Sequence, residues 1–310
     1  MDPRLNIIII VFIAVTLDLI LCEPPAKIHP VVWMGKLIDY FRNYLIKYRN
    51  KLSGIILTLI IALIFTLATY VLLNRLTFNY IIYILVSAAI LSTTFAIKAL
   101  YNAAEGIEND LNADISIARK SMSYLVSRNT DELSQGEIVS AAIETLTENI
   151  TDSVIAPLFY ALIFSVPGAV AYRAINTLDA MVGYKTPENI EIGWFPAKTD
   201  DVLNYIPARI TGILVVIAAA LLRMNWRNAY KIMMHDARNP ESPNSGYPMA
   251  AAAGALGIKL KKIGYYEIGD ETDVLSPDKI AKAVSLSKMT IALFLLSAAI
   301  LYLLILFIFL

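Results

Sequence analysis

The passage SGIILTLIIALIFTLATYVLL, Ser53 to Leu73, carries no charged residue and decides the fold class. A helix rises about 1.5 Å per residue, so about 20 apolar residues cross the ~30 Å hydrocarbon core of a bilayer. This stretch is long enough. Outward from it, Tyr80 to Ile97 is also uncharged, Leu5 to Leu21 holds one charge at Asp18, and Met289 to Leu310 holds none. Ser153 to Tyr172 is uncharged but interrupted by Pro157 and Pro167. Ile210 to Leu222 is short, and reaches spanning length only by starting at Ile206, across Pro207 and Arg209. The expectation is an all-α, multi-pass integral membrane protein: one membrane domain over 1–310, with four to six segments at 5–21, 53–73, 80–97, 153–172 (Pro-broken), 206–222 and 289–310.

Composition agrees. Of 310 residues, 57% are hydrophobic and 17% charged, with a mean hydropathy of +0.61; a soluble domain carries about 25% charged residues. Lys+Arg and Asp+Glu are 26 each, which argues against a nucleic-acid partner, since phosphate binding needs a basic excess. One cysteine and two histidines exclude a disulfide framework and a Cys/His zinc cage, and neither zinc nor haem is expected. Met1–Asp2–Pro3–Arg4 is not a basic leader and no small-x-small cleavage site follows, so the first segment reads as an anchor. Asp18 fits either an interfacial carboxylate or a site acid within the membrane.

If all six segments span, loops 22–52, 98–152 and 223–288 hold 20 of the 26 Lys and Arg residues, against five in 1–4, 74–79 and 173–205. The positive-inside rule puts the three basic loops in the cytoplasm of the cell. The polar functional loops are 98–152, 173–205 and 223–288; re-entrant 153–172 and 206–222 segments would return 173–205 to the cytoplasmic side. Within the loops, Asn112 to Val126 has the spacing of an amphipathic helix, and a second helix runs from Ser134 through Asp152, opened by the capping box Ser134–Gln135–Gly136–Glu137. Arg223, Arg227 and Lys231 recur at i, i+4, i+8 beside Trp226 and Tyr230. That pattern suits either a helix at lipid headgroup level or a solvated basic face. Ser276–Pro277–Asp278 marks a helix start before the last span.

The chain has no G-x-x-x-x-G-K-[ST], G-x-G-x-x-G or H-E-x-x-H motif. Its chemistry lies in acid–amide–arginine clusters beside membrane segments. Glu144, Glu148 and Asp152 share a helical stripe with Asn149 adjacent, where a magnesium ion would relieve like-charge repulsion; a solvated acidic face explains the same spacing. Arg173, Asn176 and Asp179 follow the 153–172 segment, as an anion clamp or as an ion network fixing a helix end. Asp200, Asp201, Asn204 and Arg209 form a third group, in which adjacent acids project differently, so at most one joins a given ion. His235, Asp236, Arg238 and Asn244 form a fourth, before the small-residue run Ala250–Ala255. His235 and His29 read as ordinary surface histidines. These residues point to a membrane enzyme handling a phosphorylated anion with a divalent cation.

The chain resembles the CbiB/CobD family, the cobinamide-phosphate synthases of cobalamin biosynthesis, from Asp18 to about Gly269. The matching residues are Asp18–Leu19–Ile20–Leu21–Cys22–Glu23–Pro24, His29–Pro30–Val31 and Gly35; then Glu148–Asn149, Asp152 and Ala156–Pro157–Leu158. The run Tyr172 to Tyr184 follows, with Gly193–Trp194, Asp200–Asp201, Asn204, Pro207–Ala208–Arg209, Ser242–Pro243–Asn244, Gly246 and Ala253–Gly254–Ala255–Leu256–Gly257. Cys22–Glu23, Ser127–Arg128–Asn129–Thr130 and Met249 depart from the family pattern, where Gly-Asp, G-R-D-T and Glu are usual. The resemblance implies ATP-dependent amidation of the free propionate of adenosylcobyric acid by aminopropanol phosphate or aminopropanol, with a corrinoid as substrate. It implies magnesium held by Glu148, Asp152 and Asp179 with Asp200 or Asp201, and phosphates held by Arg173, Arg209, Arg238 and Lys185. Asn149, Asn176 and Asn244 would orient groups, and His29 or Asp18 would take the amine proton. Other membrane enzymes of late cobalamin assembly are expected partners. The competing readings are a transporter of corrinoids or another polar solute, which would place ionisable residues at mid-membrane, and a non-catalytic scaffold.

Overall fold

The computed structural model describes residues 3–48 and 50–309; the first two residues of the expected 1–4 loop, Arg49 and Leu310 lie outside this range. In chain order the helices are α1 (Pro3–Leu21), α2 (Pro30–Leu45), α3 (Lys51–Arg75), α4 (Tyr80–Ser92), α5 (Ile97–Ala113), α6 (Ile115–Ser123) and α7 (Gln135–Ile150). A π-helical turn, Thr151–Ile155, leads into α8 (Ala156–Val182), α9 (Trp194–Leu221), α10 (Trp226–Asp236) and α11 (Gly246–Leu256). A two-stranded antiparallel hairpin, β1 (Leu260–Lys262) and β2 (Tyr266–Ile268), precedes α12 (Asp278–Phe309).

The protein is all-α and multi-pass. Lys51–Arg75, Tyr80–Ala113, Gln135–Val182 and Asp278–Ile305 are long and apolar enough to cross a membrane; Trp194–Leu203 and Tyr205–Leu221 qualify only as a pair. Within α1, Asn6–Leu21 is apolar as well. On α3, Leu59, Leu63, Ile64, Leu67 and Val71 are exposed, as lipid-facing side chains must be.

Several boundaries differ from the sequence expectation for physical reasons. The 80–97 segment is not one helix. The hydroxyls of Thr93 and Thr94 donate to the carbonyls of Ile90 and Leu91, both at 2.7 Å, closing α4, and α5 restarts at Ile97. The Ile97 amide donates to Asp18 Oδ2 at 3.1 Å, so Asp18 is a buried cap, 2% exposed, rather than a carboxylate reaching water. The helix expected over Asn112–Val126 is α6 alone. Asp114 accepts from the Ser116 amide at 2.6 Å, and this N-cap starts a new helix where continuity was expected. The Ser134–Glu137 capping box forms as expected. The last helix begins at Asp278, as the Ser276–Pro277–Asp278 start signal predicts, and runs unbroken into the apolar segment.

The chain divides into two units, residues 1–97, 156–204 and 298–310 in the first and 98–155 and 205–297 in the second. In the first, α8 packs on α1, α2, α3 and α4. A straight helix would hold Tyr160 and Tyr172 about 18 Å apart, yet their rings stack with centroids 5.3 Å apart. α8 therefore doubles back. The reversal sits at Phe164 and Ser165, where Ser165 has φ 61°, a left-handed conformation unusual outside glycine. Close return is possible because residue 168 is glycine: a Cβ there would lie 2.8 Å from the Tyr160 carbonyl and 2.4 Å from Phe164 Cβ. Carbonyls near the break find side-chain donors, Leu162 from the Tyr302 hydroxyl, while the Tyr160 hydroxyl serves the Leu203 carbonyl at 2.8 Å. Such repair is required of broken helices at membrane depth.

In the second unit α7 packs on α6, α11 and β1, and α10 packs along α11. Ala229 and Met233 of α10 meet Ala251, Ala252 and Ala255 of α11, Val215, Ala218 and Ala219 of α9, and Leu286 of α12 in one buried cluster. The small-residue run of α11 thus brings helix axes close together.

Candidate functional site

Each unit holds its own polar constellation. In the first unit it is a continuous hydrogen-bonded chain. Arg173 Nη1 donates to Asn176 Oδ1 at 3.2 Å, and Asn176 Nδ2 donates to Asp200 Oδ1 at 3.2 Å. The other Asp200 oxygen accepts from Asn204 Nδ2 at 2.9 Å, and Asn204 Oδ1 accepts from the Tyr172 hydroxyl at 2.9 Å. Helical spacing builds this: Tyr172 and Asn176 share a face of α8, and Asp200 and Asn204 share one of α9. Asp200, Asn204 and Tyr172 are buried and Arg173 is half-buried. Arg173 also lines a largely apolar cavity of about 240 Å³, with Pro30, Met34, Phe65, Thr69 and Thr94.

Asp201 turns away and pairs with Lys198 at 3.2 Å, as adjacent helical residues must diverge. Asp179 lies one turn below Asn176. Its carboxylate rests against Gly183, where a Cβ would fall 2.0 Å from Asp179 Oδ1, so the glycine makes room for the acid. Lys185 is exposed in the turn that follows. His29 caps α2: its Nδ1 accepts from the Val31 amide at 3.2 Å, which leaves the proton on Nε2. Burial pushes this imidazole below its ordinary 6.5, Glu23 opposing and Arg173 adding to the shift. His29 therefore presents a donor at neutral pH, and taking up a proton at Nδ1 would break the cap.

In the second unit the acidic stripe of α7 is not uniform. Glu144 is buried and accepts from Ser140 Oγ at 2.8 Å, the Tyr266 hydroxyl at 3.0 Å and Arg128 at 3.4 Å. Ser140 in turn accepts from the Lys261 amide at 2.9 Å, so Glu144 ties α7 to the hairpin. Burial, then the Glu144 and Glu148 charges, push the Tyr266 phenol far above its ordinary range. Glu148, Asn149 and Asp152 stay half-buried. Asn149 donates to the Thr145 carbonyl at 2.8 Å and accepts from Ser153 at 3.2 Å. Asp152 sits in the π-helical turn, a wider winding that re-aims side chains and recurs at functional sites.

Arg209 is clamped between two rings, 3.4 Å from the Tyr205 centroid and 4.3 Å from that of Tyr247. Its Nη1 donates to the Tyr205 carbonyl at 2.7 Å and to Asn244 Oδ1 at 3.1 Å, and its Nη2 to the Pro243 carbonyl at 3.4 Å. The Pro207–Ala208–Arg209 and Ser242–Pro243–Asn244 motifs thus meet in space. Arg238 is exposed. His235 Nδ1 lies 2.5 Å from Asp236 Oδ1, and the other Asp236 oxygen accepts from the Gly269 amide at 2.7 Å.

Among the described residues no three His, Cys, Asp or Glu side chains converge as a metal cage. Magnesium does not need one, since one or two carboxylates suffice when phosphates and water complete its shell. Residues missed in the sequence as partners are Arg128 and Tyr266 for Glu144, and Tyr205 and Tyr247 for Arg209. Only Tyr205, one turn before Arg209, carried a local signal.

Known proteins resemble this chain over nearly its whole length. The sequence pattern described as CobD/Cbib protein matches residues 11–294. A probable cobalamin biosynthesis protein CobD of Methanothermobacter thermautotrophicus is 51% identical over 94% of this chain and 96% of its own. One of the same name from Methanocaldococcus jannaschii is 41% identical over 93% and 96%. The cobalamin biosynthesis protein CobD of Dehalococcoides mccartyi is 39% identical over 89% and 91%. No solved structure matches.

Proposed function

The chain belongs to the CobD/CbiB family, and from that membership we propose a role in cobalamin assembly as adenosylcobinamide-phosphate synthase. The reaction joins the free propionate of adenosylcobyric acid to the amine of aminopropanol phosphate. ATP transfers its terminal phosphoryl group to the carboxylate, releasing ADP. The amine then attacks the acyl phosphate, phosphate leaves, and the amine loses a proton as the amide forms.

The observation that carries this reading is the Arg173–Asn176–Asp200–Asn204–Tyr172 chain, built from the residues on which the family likeness rests. Arg173 offers a guanidinium beside a cavity, suited to a carboxylate or phosphate oxygen. Asp200, gripped by two amides, fixes Asn176 and hence the direction of Arg173. Each unit offers its own acids to hold magnesium, Asp179, Asp200 and Asp201 in the first and Glu148 and Asp152 in the second. The ion would neutralise phosphate charge. Arg209 and Asn244 already satisfy each other, so their part in anion binding is to shape the Ser242–Asn244 loop. Arg238 and Lys185, both exposed, are the further candidates for a polyphosphate.

The test is one incubation of purified protein with adenosylcobyric acid, Mg-ATP and aminopropanol phosphate, resolving corrinoids by mass. The expected product is lighter than the two reactants together by one water, and it requires ATP. Unchanged corrinoid, combined with corrinoid flux into sealed vesicles, would replace the ligase with a transporter.

A further inference from the structure

α10 has two contrasting sides. Ala229, Ile232 and Met233 are buried, Ala229 and Met233 in the cluster with α9, α11 and α12. On the other side Trp226, Tyr230 and Met234 are 45%, 53% and 64% exposed, each one turn from the next. Alongside run Arg223, Arg227, Lys231 and Arg238, all exposed. Arg227 stacks on Trp226 at 5.4 Å, and Lys231 lies 3.8 Å from Asp270.

The level of this face follows from the chain. The apolar Tyr205–Leu221 stretch is half of a candidate span. It ends at Arg223, whose φ of 57° turns the backbone, with Arg223 and Met224 amides returning to the Ala220 and Ala219 carbonyls at 3.1 and 2.8 Å. α10 starts three residues later, and its inner side packs on α9 and on α12. It therefore lies where membrane helices leave the hydrocarbon. At that level, half-exposed aromatics beside four cations match the amphipathic surface of lipid headgroups, not bulk water.

We propose that the Trp226–Met234 face of α10, with its flanking arginines, is a binding surface for anionic phospholipid headgroups. The aromatics insert at the interface, and Arg223, Arg227, Lys231 and Arg238 engage phosphates. This does not depend on the ligase reading.

The test uses the full chain in nanodiscs, with Trp33→Phe and Trp194→Phe leaving Trp226 as its one tryptophan. At low salt, brominated phosphatidylglycerol should quench Trp226 roughly two-fold more than an equal fraction of brominated phosphatidylcholine. Adding Arg227→Gln and Lys231→Gln should erase that difference. Equal quenching by the two lipids overturns the charge selection, and quenching by neither overturns docking. If the tryptophan variants do not fold, native mass spectrometry of the otherwise unaltered chain makes the same comparison. Retention of phosphatidylglycerol over phosphatidylcholine should be lost in the Arg227→Gln/Lys231→Gln variant, and retention that is unchanged overturns the proposal.

Discussion

Glu144 and Asp200 are both helical carboxylates buried to 4% and 8% exposure, yet their surroundings differ in kind. Glu144 has a cation, a phenol and a hydroxyl around it, and its bonds reach the β1–β2 hairpin packed against its helix. Asp200 has two carboxamides, each from a residue on its own or the adjoining helix. A buried acid neutralised by arginine mainly fastens structure, because its charge is already answered. A buried acid held by neutral amides has no cation bonded to it. Burial alone, then, does not mark a functional carboxylate; what neutralises it does.

Exchanging each acid for its amide separates the two most sharply. Asp200→Asn should lower product formation by about 100-fold or more, the scale of losing one preorganised electrostatic group, with a small shift in melting temperature. Glu144→Gln should instead cost about 1–3 kcal/mol of stability, as expected for a buried network left with an unanswered partner, while the folded fraction keeps turning over. If thermal unfolding and turnover respond alike in both variants, the distinction fails. Gly183→Ala sharpens the first-unit side. Its Cβ would collide with Asp179 Oδ1, and moving that acid should cost about 10–100-fold in rate; an unaffected rate would remove Asp179 from the machinery. The smallest effect concerns His29. Its folded pKa lies below the ordinary 6.5, so the folded state binds fewer protons than the unfolded chain. Stability is then complete above pH 6.5 and declines as pH falls below it. His29→Asn, which keeps a capping acceptor, should flatten that slope in chemical unfolding curves collected across the window.

Much of the architecture was legible because it follows from local rules. Ser53–Leu73 had to be a membrane-length helix, the Ser134–Glu137 box had to start α7, and adjacent Asp200 and Asp201 had to diverge. The reversal inside α8 was not legible. Pro157 and Pro167 announced an interruption, but the left-handed residue is Ser165, which carries no turn signature. The split between α5 and α6 was legible and passed over, since Asp114 followed by Ser116 is an ordinary N-cap pattern. The site divides in the same way. Arg173, Asn176, Asp200 and Asn204 were found because helical spacing aligns them. Glu144 was placed with Glu148 and Asp152 because its partner Tyr266 lies 122 residues on, a contact no periodicity can announce.

The doubling-back at Ser165 also bears on how crossings are tallied. Hydropathy alone scores the stretch through α8 as one passage, which would flip the side on which every later loop emerges. If both legs of this hairpin, which brings Tyr172 back level with Tyr160, enter the membrane, they contribute an even number of crossings. Parity, rather than the count of apolar stretches, then decides which loops share an aqueous phase.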